Sequence, residues 1–178
     1  MANFITRHFY WINLVWFQLV WFVAVFFTAQ GELFLIFSLL LHFYLSPNRK
    51  QDLASLITIS LIGGLADAGV SWLGFMVFSE GVLMPLWLLL LWAHFSVTLN
   101  HGMSWLNKIP LYLQVLFGGL FGPLSYYAGY KLGAVDFLPP EWRTLFILIV
   151  IWSTLLPVYL LLSRIYGGRY GYSAQKSS

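Results

Sequence analysis

The chain consists almost entirely of long apolar stretches, and this feature constrains its fold more than any other. Hydrophobic residues make up 60% of the 178 positions and charged residues only 8%, whereas a soluble domain carries about 25% charged residues. So few charges cannot give a folded domain a water-compatible surface. The sequence therefore predicts an integral membrane protein, for which the bilayer is the solvent.

The apolar stretches are separated by short polar segments that contain Gly, Pro or charge, as turns do. A helix needs roughly 20 apolar residues to cross a bilayer. The first stretch is too long in its apolar part for a cleaved signal peptide, so we interpret it as a span. We expect an all-α, polytopic bundle of about six transmembrane helices, forming one integral membrane domain over residues 1–178, with spans at residues 11–28, 33–45, 53–78, 82–106, 111–132 and 142–165.

The distribution of basic residues predicts the orientation of these spans. If the N-terminus is cytoplasmic, only Lys131 and Arg143 fall outside, and the other seven basic residues fall inside. Loops rich in Lys and Arg stay on the cytoplasmic side. Both termini are therefore expected in the cytoplasm, together with the inside set Arg7, Arg49, Lys50, Lys108, Arg164, Arg169 and Lys176.

Composition excludes several classes of function. The chain has no cysteine, which removes disulfides, thiolate catalysis and cysteine-bound metals. Its net charge of +3 is small, and no dense basic run is present to neutralise a phosphate backbone, so we expect no nucleic acid as a partner.

The fourth predicted helix carries an unusual set of polar side chains within "LWAHFSVTLNHGMSW". Counted as one continuous helix, it places His94, Thr98, His101 and Trp105 on one face, and Ser96, Asn100 and Asn107 on another. Two polar faces cannot both contact lipid. We therefore expect a polar pocket between helices, open toward the cytoplasmic leaflet.

Other polar residues are predicted at the same depth, on the cytoplasmic side of their spans: Asn13, Gln18, His42 and Gln114. We expect Asn100 and His101 to form the floor of the pocket near His42 and Gln114, below a roof of Trp92 or Trp105. The residues predicted to bind a ligand are His42, Asp67, Trp92, His94, Asn100, His101 and Trp105.

Asp67 is the only acid inside a predicted span, about half way along the third helix. A charged carboxylate there costs at least about 2.5–3.5 kcal/mol. We expect it to face helix four or five, with His94 as a partner or with the carboxyl protonated. The alternative is that Asp67 and the histidines hydrogen-bond between helices without a ligand, beside small residues that allow close packing.

Two glycine-rich segments resemble each other: "LIGGLADAGVSWLG" in the third span and "LFGGLFGPLSYYAG" in the fifth. A duplicated two-helix unit is one interpretation, and chance recurrence of glycine-rich helix faces is the other. No inverted repeat is visible, although inverted repeats are typical of many transporters.

Signatures of known enzymes are absent from the sequence. The four histidines include no pair spaced i, i+4, and His94 and His101 are two helical turns apart, so no metal site is predicted. No nucleophile elbow occurs, and a lone intramembrane acid does not hold a metal diphosphate. No cofactor is expected, and the catalytic residues, if any, are unknown.

The segments "WAHFSVTLNHGMSWL" and "FGPLSYYAGYKLGA", together with "FQLVWF" and "HFYLSP", resemble an uncharacterised family of bacterial inner-membrane proteins, DUF2878, a domain of unknown function. The resemblance covers nearly the whole chain, with Phe121 where the pattern has a second glycine. It implies a helical bundle in the bacterial inner membrane and a lipid-related role. It carries over no catalytic residue.

Three functions stay open at this stage. The bundle binds or moves a lipid-like or small amphipathic molecule in an intramembrane polar pocket, with membrane lipids as its partners. Alternatively, it is a non-catalytic subunit that docks another membrane protein, or a second copy of itself, through its glycine-rich helices. The third is a membrane-embedded lipid-modifying enzyme.

Overall fold

A computed structural model describes the backbone of residues 2–174 and the side chains of residues 9–170. His8, Arg7 and Lys176 thus lie outside the described side chains. The elements, in chain order, are α1 (Ala2–Phe27), a 3-10 turn (Thr28–Gly31), α2 (Glu32–Leu45), α3 (Arg49–Trp72), β1 (Met76–Val77), α4 (Leu86–Asn100), a second 3-10 turn (Ser104–Lys108), α5 (Leu111–Lys131), β2 (Asp136–Phe137) and α6 (Glu141–Ala174).

The first two helices form an antiparallel hairpin. The chain reverses at Thr28, whose φ of 43° is unusual for a residue with a side chain. Gly31 allows the reversal to be tight, because a Cβ at this position would lie 3.0 Å from Val23. Further along the hairpin, the Trp16 indole donates a 2.6 Å hydrogen bond to the Ser38 hydroxyl.

The remaining helices form two more hairpins, α3–α4 and α5–α6, each with a short strand in its connection. Both α3 and α5 end at a glycine of positive φ, Gly74 (75°) and Gly133 (81°), which is the usual left-handed helix end. The strands that follow pair antiparallel, Met76 with Phe137 and Val77 with Asp136. This ribbon joins the two hairpins at one end of the bundle.

The α3–α4 and α5–α6 hairpins share several local features near the ends of their first helices. The backbone hydrogen bonds around Gly74 recur around Gly133 with the same spacing. When the two helices are aligned at Gly74 and Gly133, Gly63 corresponds to Gly122. A Cβ on Gly63 would collide with the Trp92 ring, and a Cβ on Gly122 would collide with the Trp152 ring. The two indoles stack on each other with centroids 5.2 Å apart.

The structural correspondence between the two hairpins has a different register from the one that the sequence similarity favours. Matching the Gly-Gly pairs aligns Gly63 with Gly118, whereas the two helix ends align Gly63 with Gly122. In the structural register Asp67 corresponds to Tyr126, and these two residues hydrogen-bond to each other across the interface between the hairpins. The similarity between the two hairpins therefore follows the register of their turns rather than that of their Gly-Gly pairs.

Two predicted helix limits are wrong, and both errors matter for the site. The third helix ends at Trp72 instead of continuing to residue 78, so Asp67 lies near its C-terminal end and not half way along it. The fourth helix spans Leu86–Asn100 rather than 82–106. Because it stops there, Trp105 and Asn107 belong to the following 3-10 turn and do not share the faces of α4.

The glycine-rich faces pack inside the chain itself. Gly63 lies against Trp92 of α4, and Gly118 lies so close to the backbone of Trp152 in α6 that a side chain would not fit. Gly69 is different, because a Cβ there would have no neighbour within 4 Å. The sequence argument that these glycines dock another protein therefore loses its basis at Gly63 and Gly118.

The all-α fold is confirmed, and the outer surface is apolar. Large hydrophobic side chains are exposed along the helices, for example Leu33 at 81% and Val15 at 70%. Among the described residues, three helical stretches are long and apolar enough to cross a membrane: Phe9–Leu45, which contains the α1–α2 hairpin, Arg49–Trp72 and Glu141–Tyr170. These stretches indicate a membrane protein. Six crossings and cytoplasmic termini stay predictions.

Candidate functional site

A buried acid at the start of α3, Asp52, is the centre of a polar cluster. The segment that precedes it determines its position: α2 ends in Leu45, and Ser46 has an extended backbone (φ −62°, ψ 131°), as expected before a proline. The Ser46 hydroxyl accepts the backbone N–H of Asn48, and α3 begins at the next residue. Asp52 thus lies in the first turn of α3, where the helix dipole favours a negative charge.

Two histidines, one in α2 and one directly after α4, donate hydrogen bonds to the Asp52 carboxylate. His42 Nε2, from the last turn of α2, lies 3.0 Å from Oδ2. His101 Nε2, directly after α4, lies 2.9 Å from Oδ2 and 3.0 Å from Oδ1. All three side chains are buried, with Asp52 fully inaccessible and the histidines 6–8% exposed. The His101 ring also packs nearly perpendicular to the Phe9 ring, with ring centroids 4.9 Å apart.

Asn100 extends the cluster to α6. Its side-chain amide donates to Asp52 Oδ1 at 2.9 Å. Its carbonyl oxygen accepts the hydroxyls of Ser55 at 3.1 Å and Ser163 at 2.8 Å. Ser46 also donates to Asp52. The carboxylate therefore receives hydrogen bonds from four side chains, and the cluster links α2, α3, α4 and α6.

Asn13 adds α1 to the cluster and fixes the orientation of His42. The Asn13 Oδ1 accepts the backbone N–H of Gly102 at 3.0 Å, so its amide nitrogen faces His42 Nδ1 at 3.4 Å. Because that nitrogen is a donor, Nδ1 of His42 must accept, and the ring proton must lie on Nε2. Gly102 is required here, since a Cβ would lie 2.8 Å from the Leu14 nitrogen of α1.

The second buried acid, Asp67, has a different environment. It accepts hydrogen bonds from the Trp92 indole at 2.7 Å and from the Tyr126 hydroxyl at 2.7 Å. The prediction that Asp67 faces helix four or five is confirmed, because its two donors come from α4 and α5. Its proposed pairing with His94 is wrong, because His94 Nε2 instead donates to the Leu35 carbonyl at 3.1 Å. The donors to Asp67 are neutral groups.

A cavity with a volume of about 690 Å³ lies between α1 and α5, with α4 behind it. Aromatic and aliphatic side chains line it, including Trp21, Trp87, Trp92, Trp105 and Trp152. Its polar members are Gln18, Ser125 and Tyr126. The Trp21 indole donates to the Ser125 hydroxyl at 2.8 Å across the cleft.

The structure divides five of the seven predicted pocket residues into two groups, and Asp67 and His94 belong to neither. His42, Asn100 and His101 come together in the Asp52 cluster, as expected for the floor of a pocket, but they do not line the cavity. Trp92 and Trp105 line the cavity but do not roof the cluster. The predicted pocket that combines both is therefore wrong in its geometry.

Two further polar residues, Gln114 and Thr98, are bonded to the backbone and not to the Asp52 cluster. Gln114 does not join the cluster, because its amide donates to the backbone carbonyls of Leu106 and Ile109 in the turn before α5. The hydroxyl of Thr98 is satisfied within its own helix by the His94 carbonyl. Polar residues on a helix often make local backbone bonds of the Thr98 kind, so Thr98 needs no ligand. The Gln114 Oε1, in contrast, is buried without a hydrogen-bond partner among the described residues.

Asp52 is the important residue that the sequence analysis missed. It was placed in the connector before a span predicted to begin at residue 53. A signal was present: "SPNRKQD" has Ser-Pro followed by an acid in the first helical turn, which is typical of a helix start. The same pattern also occurs at exposed helix starts, however, so the burial of Asp52 could not be inferred.

Comparison with known proteins identifies the family. A family model described as a protein of unknown function, DUF2878, matches residues 10–158. The chain belongs to this family. The match covers α1 to the middle of α6 and thus every residue of the Asp52 cluster except Phe9 and Ser163, so the cluster is part of the DUF2878 domain. No curated protein and no solved structure matches the chain.

Proposed function

We propose that this DUF2878 protein is a multi-pass protein of the bacterial inner membrane that binds a lipid-like or small amphipathic molecule in the cavity between α1 and α5. The observation that carries the proposal is the cavity itself. Its volume of about 690 Å³ lies within the range of about 300–1,000 Å³ that is usual for small-molecule sites.

The lining of the cavity matches such a ligand. Apolar and aromatic side chains dominate, and a few polar groups, Gln18, Ser125 and Tyr126, offer fixed hydrogen-bonding points. Ligand sites commonly combine an apolar wall with a small number of placed polar groups.

The cavity also has a side opening suited to a molecule that arrives from the bilayer. Phe22 of α1, Phe121 and Leu124 of α5 line it and are at least half exposed. The helices on its two sides belong to different packing units, since α1 packs on α2 and α4 whereas α5 packs on α6. An acyl or similar chain can therefore enter between them without passing through water.

The experiment is native mass spectrometry of the full chain, purified in mild detergent, followed by extraction and identification of bound lipids. Ala128→Phe fills part of the cavity, because Ala128 is one of its lining residues. Thr154→Phe adds the same ring at an exposed position of α6 and is the matched control. We expect a bound molecule in the wild type and in Thr154→Phe, and its loss in Ala128→Phe. Equal retention in both variants contradicts the proposal.

A further inference from the structure

We propose that His42, Asp52 and His101 form a binding site for a divalent first-row transition-metal ion. The site is separate from the cavity, so it does not depend on the proposed lipid-binding function. One imidazole nitrogen from each histidine and a carboxylate oxygen all lie within 4.8 Å of one another. Two imidazoles and one carboxylate are a common ligand set for such ions.

The distances between the candidate ligand atoms are close to those of a metal site. Two atoms bound to a tetrahedral Zn²⁺ at about 2.0–2.1 Å are about 3.3 Å apart. The Nε2 atoms of His42 and His101 lie 3.0 Å and 2.9 Å from Asp52 Oδ2. A small outward movement of the rings would admit the ion, and three protein ligands would leave one coordination position for a water or an anionic oxygen.

The surrounding residues hold the ligands in place. Ser46 and Asn100 donate to the Asp52 carboxylate, and Asn100 is itself held by Ser55 and Ser163. Hydrogen bonds of this kind orient metal ligands and contribute to affinity. The three ligands come from α2, α3 and the end of α4, so a bound ion would link three helices.

Asn13 affects how His42 can bind an ion. Binding an ion at Nε2 of His42 moves the ring proton to Nδ1, which then needs an acceptor. The Asn13 group facing Nδ1 is its amide nitrogen, because Oδ1 accepts from Gly102. The amide must therefore turn over on metal binding and give up its bond to Gly102. This makes Asn13 a positioning residue that lowers the affinity of the site.

The direct experiment uses the full chain in detergent, stripped with a chelator and titrated with Zn²⁺ by calorimetry, with bound metal counted by elemental analysis. We expect one Zn²⁺ per chain. Glutamine at position 42 or 101 can still donate a hydrogen bond to Asp52 but is a poor metal ligand. His42→Gln and His101→Gln should therefore weaken binding by at least about tenfold.

His94→Gln is the matched control, because His94 is equally buried but bonds to Leu35 outside the cluster. It should bind Zn²⁺ like the wild type. A folded wild type that binds no Zn²⁺, or an affinity unchanged in His42→Gln, overturns the proposal. If the glutamine variants do not fold, the visible spectrum of the Co²⁺-loaded wild type decides: strong bands of four-coordinate Co²⁺ support the site, and their absence contradicts it.

A further variant tests the role of Asn13. Asn13→Asp supplies one carboxylate oxygen for the Gly102 N–H and another for a protonated His42 Nδ1, as in the carboxylate–histidine–zinc arrangement. We expect Zn²⁺ to bind at least about tenfold more tightly than in the wild type, and to raise the melting temperature of this variant by more. Unchanged or weaker binding contradicts the assignment of His42 as a ligand.

Discussion

The α3–α4 and α5–α6 hairpins share one design but differ at the positions that carry polar chemistry. Both end their first helix at a positive-φ glycine, pair through β1 and β2, and place a glycine under a stacked tryptophan. The central acid of the cluster occurs only in the α3–α4 hairpin, because the position of Asp52 in α3 corresponds to Leu111 in α5. The glycine turns, paired strands and Gly–Trp contacts that the hairpins share therefore explain the fold. The buried acid that only one of them carries indicates the candidate site.

The two buried acids of α3 illustrate the same contrast. Asp67 corresponds to Tyr126 in the repeat and bonds to it, so this acid belongs to the interface between the hairpins. Asp52 has no polar counterpart and collects four side-chain donors from other segments. We therefore assign Asp67 a packing role between the two hairpins. Asp52, which has no polar equivalent in the other hairpin, indicates a site.

The largest expected effect is the difference in stability lost when each of these two acids is replaced by alanine. Asp52→Ala leaves four buried donors without an acceptor and should lower the free energy of unfolding by about 3–5 kcal/mol. Asp67→Ala leaves only the Trp92 and Tyr126 donors, and should cost about 1–3 kcal/mol. Unfolding of both variants in mixed detergent micelles measures the difference. An equal or larger loss in Asp67→Ala would remove the distinction between the two acids.

A smaller effect tests the shared design. Gly63→Ala introduces a Cβ about 2.5 Å from the Trp92 ring, and such overpacking costs about 1–3 kcal/mol. It should also displace the indole that donates to Asp67. Gly69→Ala is the control on the same helix, because nothing lies within 4 Å of its Cβ, and it should be neutral or stabilising by up to about 1 kcal/mol. Comparable losses in both would refute the Trp92 contact.

The smallest effect concerns the protonation of Asp67. Asp67→Asn keeps an acceptor for Trp92 and Tyr126, so we expect a loss of about 1 kcal/mol or less. Detergent unfolding measures it, and the bound lipid is measured on the same sample. A variant that folds but no longer retains lipid would give Asp67 a role in the cavity site. A variant that fails to fold would show instead that Asp67 is ionised and that the Trp92 and Tyr126 donors stabilise its charge.

Much of the fold could be predicted because a bilayer imposes simple rules. The helical stretches, the turns at "TAQGE" and "SPNRKQD", and the inward orientation of Asp67 all follow from the cost of exposing polar groups to lipid. The end of α4 at Asn100 was missed, because Gly102 is needed for contact with the Leu14 backbone and that contact is not visible in a local pattern. An extended helix then placed Trp105 and Asn107 on incorrect faces.

The site could be predicted only in part. His42, Asn100 and His101 were expected to meet, since each needs a polar environment at a similar depth. Asp52 was not expected to join them, because an acid in the first turn of a helix is more often exposed. The burial of Asp52 depends on four other segments. The repeat register was missed for a similar reason, since the pairing of β1 with β2 defines it.

The most direct test of this account asks whether the Asp52 cluster lies at the cytoplasmic end of the bundle, opposite the β1–β2 end. The chain has no cysteine, so single cysteines can be introduced at positions 50, 80, 141 and 176 and labelled in intact cells with a membrane-impermeant maleimide. The account predicts labelling at 80 and 141 and none at 50 or 176. Labelling at position 50, beside Asp52, would contradict it.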